Sequence, residues 1–204
     1  MQTRSHWERV YTDRSPLEVS WYQQEPRLSL ELIRESGVPG DARLIDVGGG
    51  ASVLVDRLLE EGYRHLAVLD ISAAALEHAQ RRLGERASAV EWIQADVTHY
   101  FARGPFDLWH DRAALHFLVD AEDQRKYAAA LRHALASRGH VIVATFAVGG
   151  PQRCSGLDIV QYDAKRLARL LGEGFRLVAE RPQIHLTPTG TEQRFTYFHF
   201  ARID

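Results

Sequence analysis

A glycine-rich turn and two acidic residues have the types and spacing best suited to binding chemistry in this 204-residue sequence. The turn spans residues 46–50, and its three glycines allow a tight backbone turn and close approach of a ligand to the main chain. Asp70 follows at a distance where a carboxylate can accept hydrogen bonds from ribose hydroxyls. Asp96 comes after a further apolar segment and suits the exocyclic amine of adenine. This spacing predicts a site for a nucleotide-like ligand.

Each of these residues also has a plain structural interpretation. The glycines can serve only a strand-to-helix turn, and Asp70 and Asp96 can cap the segments that follow them. The turn departs from the nicotinamide-binding pattern G-x-G-x-x-G, because Val53 stands at the third glycine position. It also lacks the G-K-[ST] of a phosphate-binding P-loop.

The elements that must position these residues alternate between short apolar runs and amphipathic segments. That alternation is typical of βαβ units around a parallel sheet that is buried on both faces. Strands are predicted at residues 43–47, 65–69, 89–93, 106–110, 139–146, 175–182 and 193–202. Helices are predicted at residues 5–11, 26–35, 122–136 and 164–171, with two more beginning after Ser52 and Ser72. We expect the last two strands to form an antiparallel hairpin at the sheet edge.

Four short motifs resemble those of class I S-adenosylmethionine (SAM)-dependent methyltransferases. They are D-x-G-x-G at 46–50, Leu69-Asp70-Ile71-Ser72, Ala95-Asp96-Val97 and Phe106-Asp107-Leu108. The resemblance covers residues 7–202, which is nearly the whole chain. It implies a Rossmann-like, doubly wound α/β sheet of seven strands in the order 3-2-1-4-5-7-6, with strand 7 antiparallel.

The same resemblance implies which residues bind SAM. The methionine end would face Asp46, Gly48, Gly49 and Gly50. The ribose would lie at Asp70 and the adenine at Asp96, with Ile71 on the adenine face and Val97 at its edge. Asp107 lies within the fourth strand, where an acid is usual in the family, and we expect it to be structural.

Polar residues follow the fourth predicted strand, on the edge where the methyl group would emerge: His110, Asp111, Arg112 and His116. Arg112 can hold an anionic substrate by a bidentate hydrogen bond. His116 or His110 can accept a proton from an acceptor near neutral pH. Equally, Asp111 and Arg112 can pair with each other or cap the next helix.

Aromatic residues are concentrated in residues 1–40, which we expect to form a helical lid over a core of residues 41–204 in a single domain, 1–204. Tyr11 and Trp21 can attract the sulfonium of SAM by cation–π interaction, and Tyr22 can line the acceptor pocket. The alternative is ordinary core packing. Cys154 lies in the loop after the fifth strand and is either a wall of the acceptor pocket or an idle buried thiol.

Other segments resemble a subgroup of small methyltransferases that includes thiopurine- and thiol-type enzymes and some protein lysine methyltransferases. They include His6-Trp7, Ser20-Trp21-Tyr22-Gln23, Asp111-Arg112-Ala113, Gly150-Pro151 and Gln193-Arg194-Phe195. Asn/Asp-Pro-Pro-aromatic, the motif of enzymes that methylate base amines, is missing after the fourth strand, and no proline precedes Cys154 as in cytosine methyltransferases. A small nucleophile is therefore the first expected acceptor and a protein lysine the second.

The composition limits the other classes of function. The chain has 27 acidic and 25 basic residues and no dominant basic stripe, so we expect no nucleic-acid partner. It has no apolar run of about 20 residues, so we expect no membrane partner. A single cysteine argues against a disulfide or a cysteine-rich metal site and fits a cytoplasmic protein, either a monomer or a weak homodimer. A nicotinamide oxidoreductase and a noncatalytic SAM-binding module remain as alternatives.

Overall fold

A seven-stranded mixed sheet with helices on both faces organises the protein. The structure, a computed structural model, describes residues 4–204. Its strands are β1 (Arg43–Val47), β2 (His65–Asp70), β3 (Val90–Gln94), β4 (Phe106–Arg112), β5 (Leu135–Phe146), β6 (Arg153–Cys154), β7 (Leu157–Asp158), β8 (Phe175–Leu186) and β9 (Glu192–Arg202). Its helices are α1 (Arg4–Asp13), α2 (Arg27–Ser36), α3 (Leu54–Glu60), α4 (Ala73–Leu83), α5 (Ala121–Ala134) and α6 (Ala164–Leu171). Short 3₁₀ helices span Gly84–Ala89, Val97–His99 and Leu115–Phe117.

The strand order is β3-β2-β1-β4-β5-β9-β8, and β9 lies antiparallel between β5 and β8. β6 and β7 form a separate two-stranded hairpin. Without that hairpin, the order is the predicted 3-2-1-4-5-7-6 with the last strand antiparallel, so the predicted fold is confirmed. The parallel register brings Val47 beside Leu69 on one side and Asp111 on the other. The carboxyl ends of β1, β2 and β4 therefore meet at one edge of the sheet.

Element boundaries differ from the predicted ones mainly near the sheet edge. β5 begins at Leu135 rather than at residue 139, because the chain enters the strand directly after α5. β8 continues to Leu186 rather than ending at residue 182, because its pairing with β9 extends to Leu186 opposite Glu192. Ser72 caps α4 as predicted, since its hydroxyl accepts a hydrogen bond from the Ala75 N–H at 3.1 Å.

Two apolar cores lie on opposite faces of the sheet, as expected for parallel strands covered on both sides. One core joins α2, α3 and α4 to the sheet through Ile33, Leu54 and Leu76. The other joins α5 and α6 to the sheet through Leu131 and Leu167. None of the helices within residues 4–204 is long and apolar enough to cross a membrane.

A buried hydrogen-bond network fixes the turn that follows β4. The Asp111 carboxylate accepts hydrogen bonds from the Tyr127 hydroxyl at 2.7 Å and from the Ala114 N–H at 2.8 Å. The Tyr127 hydroxyl in turn accepts a hydrogen bond from the Trp109 indole at 3.0 Å. This network ties α5 to the turn, and it allows Ala113 to hold a left-handed φ of 73°. Asp111 thus caps the segment after β4 and does not pair with Arg112 in this structure.

Replacing Tyr127 by phenylalanine tests this network. Tyr127→Phe leaves the Trp109 N–H without its acceptor and takes one donor from Asp111, so we expect the free energy of unfolding to fall by about 1–3 kcal/mol. Urea titration measures the change. Tyr100→Phe serves as the matched control, because no hydrogen bond of the Tyr100 hydroxyl is found among residues 4–204. Equal stability of the two variants would contradict this role for the network.

Candidate functional site

A cavity opens at the carboxyl ends of β1 to β4, where the strand order reverses between β1 and β4. The first helix and the segment after it lie over the cavity, with Trp7, Tyr11 and Trp21 in its wall. The second helix instead packs into the core against α3 and the sheet, so only part of the predicted lid of residues 1–40 lies over the cavity. Five of the remaining lining residues come from the predicted donor site: Gly48, Asp70, Ile71, Asp96 and Val97. A smaller neighbouring cavity shares Tyr11, Trp21, Gly48 and Arg112 with it.

None of the three glycines of the turn has room for a side chain, and the first and last of them also have a left-handed φ. Gly48 has φ 67°, and a Cβ there would lie 2.6 Å from the Cβ of Ala114. Gly50 has φ 26°, and a Cβ there would lie 2.5 Å from the Asp70 carboxylate. The Gly48 N–H donates to the Leu69 carbonyl at 2.7 Å, which joins the ends of β1 and β2. Gly49 lines the smaller cavity, whereas Gly50 is buried behind the turn.

Asp70 is a buried carboxylate in the wall of the main cavity. One of its oxygens accepts a hydrogen bond from the Ser72 N–H at 2.9 Å. Burial raises the pKa of Asp70 from 3.8 to about 7, and the nearby charges of Asp46 and Glu8 add to the rise. Glu8 of α1 accepts hydrogen bonds from the Ser72 hydroxyl and from the Ala74 N–H at the start of α4. Asp70 thus sits under a helix that is tied to the same turn.

Asp96 both caps a turn and faces the cavity. Its carboxylate accepts hydrogen bonds from the Thr98 N–H at 2.9 Å and the Thr98 hydroxyl at 2.7 Å. Its side chain is 34% exposed and lines the main cavity together with Ile71 and Val97. Asp96 therefore caps the turn and also has a position suited to adenine. Around it, the cavity wall consists of two aliphatic side chains and one carboxylate.

His110 lies beneath the glycine turn and not in the main cavity. Its Nδ1 lies 2.7 Å from the Asp46 carboxylate and its Nε2 lies 2.9 Å from the Ser29 hydroxyl. Both ring nitrogens are thus occupied, and the residue is buried. This arrangement leaves no ring nitrogen for the proton of an acceptor, so the geometry favours His110 as a support for Asp46 instead of a base. Asp46 itself faces the smaller cavity.

Tyr11 and Trp21 meet at the boundary of the two cavities. The Trp21 indole donates a hydrogen bond to the Tyr11 hydroxyl at 3.2 Å, and the two rings meet edge to face. Burial raises the pKa of Tyr11 well above its ordinary value, so its hydroxyl stays protonated. Tyr22 lines only the smaller cavity, away from His116 and Cys154. The first three residues of the predicted lid lie outside the described range.

Arg112 is held rigidly at the other end of the main cavity. Its Nε donates to the Tyr197 hydroxyl at 2.9 Å and its Nη1 donates to the Trp21 carbonyl at 2.8 Å. The guanidinium stacks on the Phe195 ring, with 4.5 Å between the Cζ atom and the ring centroid. Its Nη2 is buried and has no hydrogen-bond partner. Arg112 therefore has one hydrogen-bond donor group, Nη2, that no protein acceptor uses.

His116 lines the same end of the cavity and is fully buried. Both of its ring nitrogens lack a hydrogen-bond partner. Its ring packs against Phe117 and Phe146, at centroid distances of 4.4 and 5.0 Å. Burial, followed by the charge of Arg112, lowers the pKa of His116 from 6.5 to about 3. His116 is therefore uncharged at neutral pH and can form hydrogen bonds, but it is a weak proton acceptor there.

Cys154 closes the cavity from the β6–β7 hairpin and is buried. Burial raises the pKa of its thiol from 9.0 to about 11, so the thiol stays protonated at neutral pH. The structure thus brings Arg112, His116 and Cys154 together at one end of the cavity, while Tyr22 and His110 lie elsewhere.

Some residues at the site, in the cavity walls or behind them, had no predicted role. Phe195 and Tyr197 of β9 hold Arg112, and Ser29 of α2 holds His110. Asp123 of α5 lines the main cavity as a third acid. Phe195 lies in a segment that the subgroup resemblance had singled out, whereas Ser29 gave no signal in the sequence.

Known proteins are similar to this chain in both sequence and fold. Residues 44–139 match the family model described as a methyltransferase domain. The eEF1A lysine and N-terminal methyltransferase of Danio rerio is 31% identical over 150 residues, which is 73% of this chain and 20% of that protein. The chain thus spans about one fifth of the length of that relative.

Solved structures of low sequence identity share the fold. The N-methyltransferase NodS from Bradyrhizobium japonicum, in complex with S-adenosyl-L-homocysteine, is 18% identical, with a TM-score of 0.71 and coverage of 100% of both chains. A SAM-dependent methyltransferase from Anabaena variabilis is 15% identical, with a TM-score of 0.75 and coverage of 99% of this chain and 96% of that chain.

The sheet order, the glycine turn and these similarities point to one class of protein. The chain has the fold of the class I SAM-dependent methyltransferases, residues 44–139 match a methyltransferase domain, and SAM is the cofactor that this likeness indicates. The residues present fit that cofactor, since the cavity places a buried carboxylate, Asp70, next to the aliphatic and acidic wall formed by Ile71, Asp96 and Val97.

Replacing Asp70 by asparagine tests the donor end. The pKa of Asp70 is higher in the folded protein than in the unfolded chain, so ionisation of Asp70 destabilises the fold. This destabilisation is absent below about pH 4 and is complete above about pH 7. Asp70→Asn should therefore raise the Tm of the cofactor-free protein at pH 8 relative to wild type, but not at pH 4. The same variant should bind SAM at least about tenfold more weakly, because an ionised acceptor for ribose is lost.

Asp41→Asn is the control for removal of one negative charge, because Asp41 is exposed. Calorimetry and thermal unfolding at the two pH values provide the measurements. Unchanged SAM affinity in Asp70→Asn would contradict the assignment of Asp70 to the donor.

Proposed function

We propose that this methyltransferase transfers the methyl group of SAM to a small-molecule nucleophile by in-line displacement. The observation that best supports this proposal is the aromatic wall over the acceptor end of the cavity. The Trp7 ring packs edge to face on Phe117 at a centroid distance of 4.7 Å and on Trp21 at 5.7 Å. Such a cover suits an acceptor small enough to be enclosed, and it keeps water away from the reacting atoms.

Different residues of the chain would bind the donor and align the acceptor. SAM supplies the reactive methyl group together with its own thioether leaving group. Asp70 and Asp96 are placed to hold the adenosine part, and the turn at Gly48 lets the donor approach the backbone. Arg112 and His116 offer hydrogen bonds at the other end. Correct alignment of donor and acceptor can supply much of the rate enhancement.

None of His110, His116 and Cys154 is placed to act as a proton acceptor of ordinary strength at neutral pH. His116 is uncharged at neutral pH because burial lowers its pKa to about 3, and His110 has both ring nitrogens engaged. Cys154 stays protonated, since burial raises its thiol pKa to about 11. We therefore propose that the acceptor enters the site already deprotonated and that His116 positions it through a neutral hydrogen bond.

A protein lysine is the second candidate acceptor. The observation in its favour is the 31% identity to a curated relative that is named an eEF1A lysine and N-terminal methyltransferase. The aromatic wall disfavours it, because a lysine on a folded protein would have to enter beside Trp7 and Trp21.

A panel assay decides between the two candidates. Purified protein is incubated with SAM and, separately, with small thiols, carboxylates and amines and with eEF1A, and the release of S-adenosyl-L-homocysteine is measured. We expect release above background with a small molecule and none with eEF1A. Asp70→Asn serves as the donor-site control and should show reduced release. Release with eEF1A alone would refute the small-molecule proposal.

A further inference from the structure

Arg112 carries a positive charge at the acceptor end without a carboxylate to balance it. Its Nε and Nη1 bind a hydroxyl and a carbonyl, which are both neutral acceptors. None of the ion pairs found within residues 4–204 includes Arg112, although acidic and basic side chains pair at many other places on the chain. Its Nη2 is buried without any partner. A buried charge is normally paired, so this geometry is costly unless a bound anion completes it.

The titratable groups that feel the charge of Arg112 are also neutral. Burial first and Arg112 second lower the pKa of His116 to about 3, and the same two causes lower the pKa of His185. Burial raises the pKa of the Cys154 thiol to about 11, although Arg112 acts in the opposite direction. The titratable groups on which the charge of Arg112 acts, His116, His185 and Cys154, therefore carry no charge that balances it at neutral pH.

Three acids also line the cavity, and none of them forms an ion pair with Arg112 within residues 4–204. Asp70 follows β2, Asp96 follows β3, and Asp123 belongs to the first turn of α5. The acceptor end has in its wall Arg112, His116, Cys154, Trp21 and Phe195. One cavity thus contains acids, of which Asp70 and Asp96 suit the hydroxyls and amine of adenosine, and a guanidinium that stacks on an aromatic ring.

We infer that the acceptor binds next to Arg112 and reacts as an anion, a thiolate or a carboxylate, and that an ammonium group is excluded. This inference rests on the proposed function and names the charge class of its substrate. Nη2 of Arg112 donates to the anion, His116 contacts it through a ring N–H, and the aromatic walls enclose the carbon skeleton. The fixed guanidinium favours the deprotonated form of an acidic group, which removes the need for a base.

The charges of the reaction balance for such an acceptor. A lone pair of the sulfur or oxygen anion forms a bond to the methyl carbon, and the bond between that carbon and the sulfonium sulfur breaks. The bonding pair stays on sulfur, which gives a neutral thioether, and the methylated acceptor is also neutral. No proton is released. An amine acceptor would instead give a cationic product beside Arg112, and its ammonium form would have to lose a proton first.

The methionine carboxylate of SAM is the competing partner for Nη2, because Arg112 also borders the smaller cavity near the glycine turn. The experiment must therefore measure donor binding and acceptor binding separately. Benzoate, benzamide and benzylammonium are suitable probes, since they share one ring and differ in charge. They are titrated into protein saturated with S-adenosyl-L-homocysteine, and the fluorescence of Trp7 and Trp21 or the heat of binding is recorded.

We expect wild type to bind benzoate at least about tenfold more tightly than benzamide and to bind benzylammonium more weakly than either. Arg112→Gln should remove the preference for benzoate and change the affinity for S-adenosyl-L-homocysteine by less than about threefold. Arg112→Lys, which keeps the charge, should retain part of the preference and guards against misfolding of the glutamine variant. Arg166→Gln is the matched control, because Arg166 also stacks on an aromatic ring, Tyr162, but lies outside this cavity.

Two outcomes would overturn the inference while the proposed function stands. One is binding of benzylammonium as tight as that of benzoate. The other is an Arg112→Gln variant that loses affinity for S-adenosyl-L-homocysteine and keeps its preference for benzoate. A wild-type protein that binds no S-adenosyl-L-homocysteine would overturn the proposed function and this inference with it. Thiophenol and benzoate in the turnover assay then separate the two anions, by formation of thioanisole or of methyl benzoate.

Discussion

The contact between two turns at the sheet edge is the constraint on which the site depends. Gly48, after β1, lies so close to Ala114, after β4, that a side chain on the glycine would collide with it. The second turn is held in place by the buried Asp111 carboxylate and contains Ala113 in a left-handed conformation. Because the two turns touch, the donor end and the acceptor end of the cavity share one wall. The predicted donor residues thereby share one cavity with Arg112 and His116.

In the free protein, the cavity wall contains a buried acid and a guanidinium with a buried donor group. At the donor end, burial makes Asp70 hard to ionise, so the unliganded protein holds an acid whose charge a polar ligand can stabilise. At the acceptor end, a guanidinium is immobilised by Phe195, Tyr197 and the Trp21 carbonyl with one donor group left over. Both ends pay a desolvation cost in the free protein, which is common where a site is organised in advance for its ligand.

The sequence allowed the sheet and the donor end to be predicted, because both depend on local patterns. The apolar runs marked the strands, and the resemblance supplied the strand order. Asp70 and Asp96 could be placed because residues after parallel strands collect at one edge of the sheet. The acceptor end could be predicted only in part. Arg112 and His116 were found from their position, but their partners Phe195 and Tyr197 come from β9, and no local pattern links residues so far apart.

The role of His110 also could not be predicted from the sequence. Its position after β4 suggested a base, but its ring nitrogens are occupied by Asp46 and by Ser29 of α2. A histidine in a sequence does not show which of its nitrogens will be engaged, because that depends on side-chain packing across the sheet. The same packing lowers the pKa of His116 to about 3, which no spacing rule could indicate.

Calorimetric titration of the purified protein with SAM and with NAD tests the central claim most directly. The geometry of the glycine turn, Asp70 and Asp96 predicts saturable binding of SAM with one site per chain and no binding of NAD. Gly48→Ala, in which the added Cβ collides with Ala114, should lose SAM binding in the same experiment. Binding of NAD without binding of SAM would contradict the account.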